Sequence, residues 1–313
     1  SLRALSGDLS ADAKADISQG VWDSVTFNGE ITAVPTQLQT YMVFANKTLL
    51  DAAGVTIPSG DTLTWEQFAE IAKQTTSGDV KGIGWGLKSP TATMMALGPI
   101  NGATFFTGEG DDAQLVVGDA ELALPKAIRQ LADDGYLDPV SLTQSGGDVL
   151  KAFYAGKYAL TVQGSYQMAN IAKDAPEGFE WLVLPPLSGS QGSSQAANPQ
   201  TLSVNIDSAH GDAAAKFVMF FTQPENMAKL NTADALIPAS AKGRQLILDQ
   251  TKGEGGWDVT LKSGDSLTSA PYLKATNYAQ WKDTVATPAF QKFLTGETDA
   301  AALQTELTDG WNR

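Results

Sequence analysis

The stretch Phe27–Phe68, FNGEITAVPTQLQTYMVFANKTLLDAAGVTIPSGDTLTWEQF, alternates strand-like and helix-like segments and decides the fold class. Ile31–Val34 is a short apolar run before Pro35, and Thr36–Phe44 continues as an extended polar-to-aromatic segment. A helix is predicted to start at Asn46 and to stop at Gly54. A strand followed directly by a helix favours an α/β fold.

Each junction in this stretch has a local physical cause. Asn28-Gly29 supplies the positive φ that a tight turn needs, and Gly54 suits the left-handed end of a helix. Thr64 with Gln67 three residues later predicts a capping box, in which each residue bonds the other's backbone amide at the start of a helix.

The remaining chain continues the alternation, which predicts mixed or parallel sheets with helices on both faces. The predicted helices cover Thr64–Gln74, Ala120–Asp134, Gly147–Ala155, Asp212–Phe221, Pro224–Asn231, Ala239–Gln250 and Thr298–Trp311. The predicted strands cover Ile31–Val34, Met42–Phe44, Gly82–Leu87, Leu115–Val117, Ala159–Val162, Glu180–Leu184 and Leu202–Ile206.

Size and charge narrow the functional classes. A chain of 313 residues is longer than a single core usually supports, so two domains are expected. The net charge of −14 disfavours binding to nucleic acid or to anionic lipid surfaces. The absence of cysteine excludes disulfides, thiolate nucleophiles and cysteine-ligated metals. No stretch approaches the ~20 apolar residues of a spanning helix, and the first residues lack the apolar core of a signal peptide.

The Phe27–Phe68 pattern resembles the extracellular solute-binding proteins of ABC importers, in the branch that includes the maltose-binding proteins. In that family a strand, a proline, a polar segment, a strand, (Y)NK, AG and (T)WE mark the first crossing between two lobes. Ala45 takes the place of the tyrosine before Asn46-Lys47.

The resemblance implies a type II-like periplasmic-binding-protein fold with a hinged cleft between its lobes. Lobe one is expected at 1–40 and 204–272, and lobe two at 41–203 and 273–313. Crossings are expected near Gln39–Val43, Asn198–Val204 and Leu273–Asn277. Because Ser1–Gln19 matches a segment that follows the first βαβ units of the family, we expect lobe one to lack roughly one such unit of 30 or more residues.

The segment Lys151–Asn170, KAFYAGKYALTVQGSYQMAN, resembles the family motif in which an aromatic after a strand end lies under the sugar. Tyr166 takes that position, where tryptophan is commoner. A flat aromatic covers the apolar C–H face of a pyranose, while amides and carboxylates bind its hydroxyls. The alternative is a partly buried aromatic at a helix start.

Further binding residues are implied by position in the same pattern. Gln39 lies where the first crossing carries a sugar-binding carboxylate or amide, and a glutamine supplies both donors and acceptors. Gln37 and Thr40 are its alternates, because a shift of one residue reverses the side-chain face of an extended segment. The alternative for each is a solvated hinge residue. Ser89 and Thr91 match a position where relatives carry larger sugar-binding residues, which predicts either a wider pocket or one that another part of the ligand fills.

Two C-terminal aromatics and one loop complete the candidates. Trp281, with Tyr278, lies near where relatives bring a second aromatic to the cleft. Ser188–Gln200, SGSQGSSQAANPQ, has the composition of a flexible loop, but in the family this loop lies at the mouth of the cleft. The segment at Asp234–Ala239 matches a stretch of lobe one in which a glycine of the relatives is either replaced by Ala235 or absent, and a structural role is expected for it.

Enzymatic interpretations find little support in the residues. His210 is the only histidine and precedes a predicted helix start at Asp212, as a turn residue does. Asp8, Asp12 and Asp16 fall at helical spacing, which fits a solvated acidic face better than a cation site, because no calcium-type loop follows. Phosphate-loop and dinucleotide-binding patterns are missing, so no cofactor is expected.

The sequence therefore predicts a monomeric, non-enzymatic protein that binds a mono- to oligosaccharide and delivers it to the permease subunits of an ABC importer. It is expected to work outside the cytoplasm, in the periplasm or on a lipid anchor upstream of residue 1. The alternatives are a binder of another small polar solute, such as a polyol or glycerol-phosphate, and a carbohydrate-active hydrolase or lyase. Phosphate esters rank lower because no arginine cluster is evident.

Overall fold

The computed structural model describes residues 1–312 as a mixed α/β protein. The strands are β1 Thr26–Phe27, β2 Glu30–Ile31, β3 Val34–Leu38, β4 Tyr41–Asn46, β5 Leu63–Thr64, β6 Lys81–Gly84, β7 Phe106–Thr107, β8 Gln114–Leu115, β9 Tyr158–Gly164, β10 Trp181–Leu184, β11 Leu187–Ser188, β12 Gln195–Ala196, β13 Gln200–Leu202, β14 Ile237–Pro238 and β15 Leu267–Thr268.

The α-helices are α1 Ala11–Ala15, α2 Gln19–Asp23, α3 Lys47–Ala52, α4 Trp65–Thr75, α5 Pro90–Leu97, α6 Asp119–Asp133, α7 Gly146–Tyr154, α8 Gln167–Asp174, α9 Gly211–Phe221, α10 Pro224–Asp234, α11 Ala241–Thr251, α12 Trp257–Ser263, α13 Tyr278–Trp281, α14 Thr287–Leu294 and α15 Ala300–Trp311. Short 3₁₀ segments lie at Gly98–Asn101, Ser141–Thr143, Glu254–Gly256, Gly264–Ser266 and Pro271–Lys274, and a π-helical turn at Lys282–Ala286 joins α13 to α14.

The local signals around the first strands are confirmed. Asn28 and Gly29 have φ of 49° and 77°, and Gly54 has φ of 68° after α3. The side chain of Asn46 caps α3 by accepting from the Leu49 amide. Thr64 and Gln67 form the predicted capping box at the start of α4.

The strand predicted over Ile31–Val34 is wrong in its bounds, since β2 ends at Ile31 and β3 begins at Val34. Pro35 lies within β3, the central strand of a three-stranded sheet, although proline has no N–H to donate. The register of the neighbouring β13 shifts between Gln200 and Thr201, the residue opposite Pro35. This irregularity accommodates the missing donor.

The chain forms two compact units. The first comprises Ser1–Thr40, Ser165–Ala169 and Ala196–Ala270, and the second comprises Tyr41–Gly164, Asn170–Gln195 and Pro271–Arg313. The expected lobes placed 165–169 and 196–203 in lobe two and 271–272 in lobe one. The short segment at 165 joins the first unit because the Ser165 amide donates to the Thr40 carbonyl over 2.7 Å.

The first unit is built on the sheet β13-β3-β14, in which both neighbours run antiparallel to β3. Its core gathers apolar side chains from the N-terminal segment, β3 and the helices that follow β13. These include Leu5, Val21, Trp22, Val34, Leu38, Val204, Val218, Met227 and Ile237. The end of β3 is therefore held firmly from both sides.

The second unit is built on the mixed sheet β10-β4-β9-β6, with β6 parallel to β9 and the other pairs antiparallel. Its largest fully buried side chains are Phe44, Phe68, Trp85, Phe105, Phe106, Phe153 and Phe290. Phe68 meets Trp85 edge to face at 6.4 Å between ring centroids. Within residues 1–312, no helix has the length and apolar character needed to cross a membrane.

Ala235 ends α10 in the left-handed region, with φ of 49° and ψ of 39°. Because its Cβ is strained there, Ala235→Gly is expected to raise the free energy of unfolding by about 0.5–1 kcal/mol. Urea unfolding followed by circular dichroism measures this change. Ala233→Gly, within the last turn of the same helix, should lower stability by a similar amount, and the same sign for both variants would contradict the prediction.

Candidate ligand-binding site

The predicted glutamines lie at the end of β3 and just beyond it. Gln37 is buried, and its Nε2 donates to Asp234 Oδ2 over 3.3 Å. Gln39 lies two residues further on, just past the strand end, and is partly exposed. The alternation of an extended chain directs both side chains to the same side. Gln39 can therefore offer a donor and an acceptor to a ligand, whereas the amide of Gln37 is bonded to Asp234.

Thr40 belongs to the framework of this site. Only 2% of it is exposed, and its Oγ1 lies 2.7 Å from Ser263 Oγ. Its backbone amide donates to Ser165 Oγ over 3.3 Å, while its carbonyl accepts from the Ser165 amide. Because these bonds hold Ser165 from two directions, they fix the backbone on which Tyr166 stands.

Tyr166 lies between β9 and α8 and is 41% exposed. Large apolar side chains are mostly buried in folded proteins, and an aromatic ring left open on a rigid backbone is available for stacking. The first unit thus brings Gln37, Gln39, Thr40 and Tyr166 to adjoining positions.

The second unit holds the other four predicted residues. Ser89 is exposed at the N-cap of α5 and makes no capping bond through its side chain. Thr91 is 1% exposed, and its hydroxyl lies 2.9 Å from the hydroxyl of Thr287. Ser89 is accessible to a ligand, whereas the Thr91 hydroxyl is already bonded inside the unit.

Tyr278 and Trp281 are part of a packed aromatic cluster. Trp281 is 3% exposed, its Nε1 donates to the Leu307 carbonyl over 3.1 Å, and its ring meets that of Phe106 at 5.4 Å. The ring of Tyr278 is tilted by 46° against that of Tyr272, at 4.9 Å between centroids, and the residue is partly exposed. Burial raises the pKa of the Tyr278 hydroxyl, which stays neutral. The environment of Trp281 is that of a core residue, and its contact with a ligand stays a prediction.

The polar loop that begins at Ser188 is tied down over its first half. The Ser190 amide donates to Asn101 Oδ1 over 3.2 Å, and the Gln191 amide donates to the Ile100 carbonyl over 2.8 Å. Gln195 bonds both backbone groups of Tyr41, accepting from its amide at 2.8 Å and donating to its carbonyl at 2.9 Å. Sequence reasoning missed Gln195, because a glutamine in a Ser/Gln-rich run carries no local signal.

The histidine and two acidic residues that could have served as catalytic or cation-binding groups cap helices or form an ion pair. His210, not Asp212, is the N-cap residue of α9, and Asp212 pairs with Arg3 at 2.7 Å. Asp16 accepts from the Lys242 amide and from Ser240, and so holds the start of α11. Within residues 1–312, no group of three or more acidic or histidine side chains is placed to hold a metal ion.

The sequence profile described as "bacterial extracellular solute-binding protein" matches residues 3–228. An uncharacterized lipoprotein in the oleD 5′ region of Streptomyces antibioticus is 34% identical over 309 residues, covering 97% of this chain and 68% of that protein. The multiple sugar-binding protein of Streptococcus mutans is 26% identical over 227 residues, covering 69% of this chain and 53% of that protein.

Among solved structures, the sugar-binding protein MalE of Xanthomonas citri superposes with a TM-score of 0.82 at 20% identity. The superposition covers 98% of this chain and 77% of that protein. The likeness confirms the expected α/β, two-lobed class of fold.

Proposed function

Because the chain belongs to the family of bacterial extracellular solute-binding proteins, we propose that it binds a mono- to oligosaccharide and delivers it to an ABC importer. The relatives that are named for a ligand are sugar-binding proteins, one from Streptococcus mutans and one from Xanthomonas citri. This chain spans 53% and 77% of their lengths.

The observation that carries the proposal is the exposed ring of Tyr166, whose neighbour Ser165 is hydrogen-bonded to Thr40, the residue after Gln39. Sugar recognition needs a flat apolar surface for the C–H face and nearby amides or carboxylates for the hydroxyls. The Thr40–Ser165 hydrogen bonds support the proposal, because Gln39 precedes Thr40 and Tyr166 follows Ser165. Within the second unit, Ser89 is exposed at the start of α5, and its contact with a sugar hydroxyl stays a prediction.

The protein is proposed to bind its ligand without transforming it. Delivery requires that the ligand leave chemically unchanged, and an affinity in the micromolar range, about −8 kcal/mol, is ordinary for such a site. The preferred partners are the permease subunits of the importer, and the protein acts as a monomer outside the cytoplasm. A lipid anchor would keep it at the cell surface, and the Streptomyces relative is named a lipoprotein.

Calorimetry against a panel of mono- to oligosaccharides tests this function, with chromatography of the same samples to detect products. Saturable binding of at least one sugar, with the sugar recovered intact, is the expected result. A polyol and glycerol-phosphate in the same panel test the other polar solutes. Steady product formation would refute the proposal in favour of a hydrolase or lyase. Binding of the polyol or of glycerol-phosphate, with no binding of any sugar, would show that the ligand is another polar solute.

A further inference from the structure

Asp234 occupies a position at which the local structure disfavours a carboxylate. It is the last residue of α10, where the partial negative charge of the helix end repels an acidic side chain. The next residue, Ala235, is held in the left-handed conformation that suits glycine. Natural sequences break local preferences in this way chiefly at functional sites.

No structural gain compensates for this placement. Asp234 is exposed. Among residues 1–312, no lysine, arginine or histidine nitrogen lies within 4.0 Å of its carboxylate oxygens, so it forms no ion pair there. Its side-chain partner is Gln37, whose Nε2 donates to Oδ2 over 3.3 Å. A single long hydrogen bond to a neutral amide does not account for an acidic residue at a helix C-terminus.

The topology places this carboxylate beside the proposed sugar site. Asp234 leads into β14, in which Pro238 is opposite Gln37 and Ile237 is opposite Leu38. Gln39 directly follows this strand, and the bonds between Thr40 and Ser165 bring the backbone of Tyr166 close to it. Asp234 therefore lies near the end of β3 that precedes Gln39. Gln37, two residues before Gln39, is hydrogen-bonded to Asp234.

We propose that Asp234 is a ligand-binding residue of this site, positioned by Gln37, and that it makes the site selective for uncharged carbohydrates. The inference rests on the proposed function. One carboxylate oxygen accepts from Gln37, and the exposed carboxylate can also accept a hydrogen bond from a sugar hydroxyl. Such a bond to an ionised acceptor is about twice as strong as a neutral one.

The same carboxylate repels an anionic ligand. A phosphate or uronate group brought beside it meets a like charge, and Gln37, Gln39 and Tyr166 offer no cation to offset the repulsion. The site is thus expected to reject a sugar phosphate or a uronic acid in favour of the neutral sugar of the same stereochemistry.

The test compares Asp234→Asn with Asp249→Asn. Asp249 is a matched control, because it is an exposed carboxylate of the same unit that accepts from a glutamine, Gln245 Nε2, over 2.8 Å. Calorimetry measures the affinity of each protein for the best neutral sugar of the panel, for its phosphate ester and for its uronic acid. Circular dichroism melting checks that each variant is folded.

Asp234→Asn should lower the affinity for the neutral sugar about tenfold or more. It should also reduce the ratio of the affinities for neutral and anionic sugar by a similar factor. Asp249→Asn should change neither. Asp234→Ala, which removes the acceptor altogether, should weaken the neutral sugar at least as much. A loss caused only by structural damage would weaken all ligands equally and leave the preference unchanged, and that result overturns the inference.

Wild-type affinity and preference in Asp234→Asn would also overturn the inference while leaving the proposed function standing. A wild-type protein that binds no sugar of the panel would instead overturn the proposed function, and the role of Asp234 with it.

Discussion

Tyr166→Ala is expected to weaken sugar binding by about 1–3 kcal/mol, which is about five- to 150-fold in the dissociation constant. The ring is 41% exposed on a backbone fixed by Ser165, so its removal takes away the stacking surface while leaving the core intact. Calorimetry with the best sugar of the panel measures the loss, and circular dichroism melting checks that the fold is retained.

Two variants control for this result. Tyr166→Phe keeps the ring and should retain most of the affinity. Phe217→Ala removes an aromatic of the same unit that is 58% exposed on α9 and packs against Phe221, and it should leave binding unchanged. A folded Tyr166→Ala protein with wild-type affinity would reject the stacking role.

Trp281→Ala is expected to lower the free energy of unfolding of the second unit by about 3–5 kcal/mol, the usual cost of deleting a buried tryptophan. The side chain packs against Phe106 and Trp311, at 5.4 and 6.0 Å between ring centroids. Its loss also leaves the Leu307 carbonyl without the indole donor. Urea unfolding followed by circular dichroism measures the change without depending on tryptophan fluorescence.

Trp257→Ala serves as the comparison, since this tryptophan is only partly buried, against the small cluster of Ala228, Ile247 and Leu261. It should cost clearly less than Trp281→Ala. The sugar affinity of Trp281→Ala at temperatures where it remains folded tests the other predicted role. Unchanged stability together with a large loss of sugar binding would make Trp281 a ligand contact and not a core residue.

Features that depend on neighbouring residues could be predicted from the sequence. The turn at Asn28-Gly29, the cap at Asn46 and the capping box of Thr64 and Gln67 follow from side-chain bonds or backbone freedom within four residues. The helix predicted over Ala120–Asp134 is found at Asp119–Asp133, because its periodic apolar face identifies it without knowledge of its partner.

Features that depend on distant residues could not be predicted in this way. Pro35 lies inside a strand and not after one, because the irregularity in β13 accommodates the proline. Ser165–Ala169 belongs to the first unit, although the segments on both sides of it belong to the second. Its place depends on hydrogen bonds between Ser165 and Thr40, which are 125 residues apart.

The sequence by itself determined the α/β class, the local starts and stops of many elements and the residue types available for binding a sugar. Periodicity and capping are short-range effects, because the residues that produce them lie within a few positions of one another in the sequence. Tertiary structure alone decided which of those residues are accessible. Tyr166 and Trp281 are both aromatic candidates, but one ring is open and the other is enclosed by Phe106, Tyr278 and Trp311. Burial is set by what packs against a side chain from elsewhere in the chain, which its own sequence neighbours do not specify.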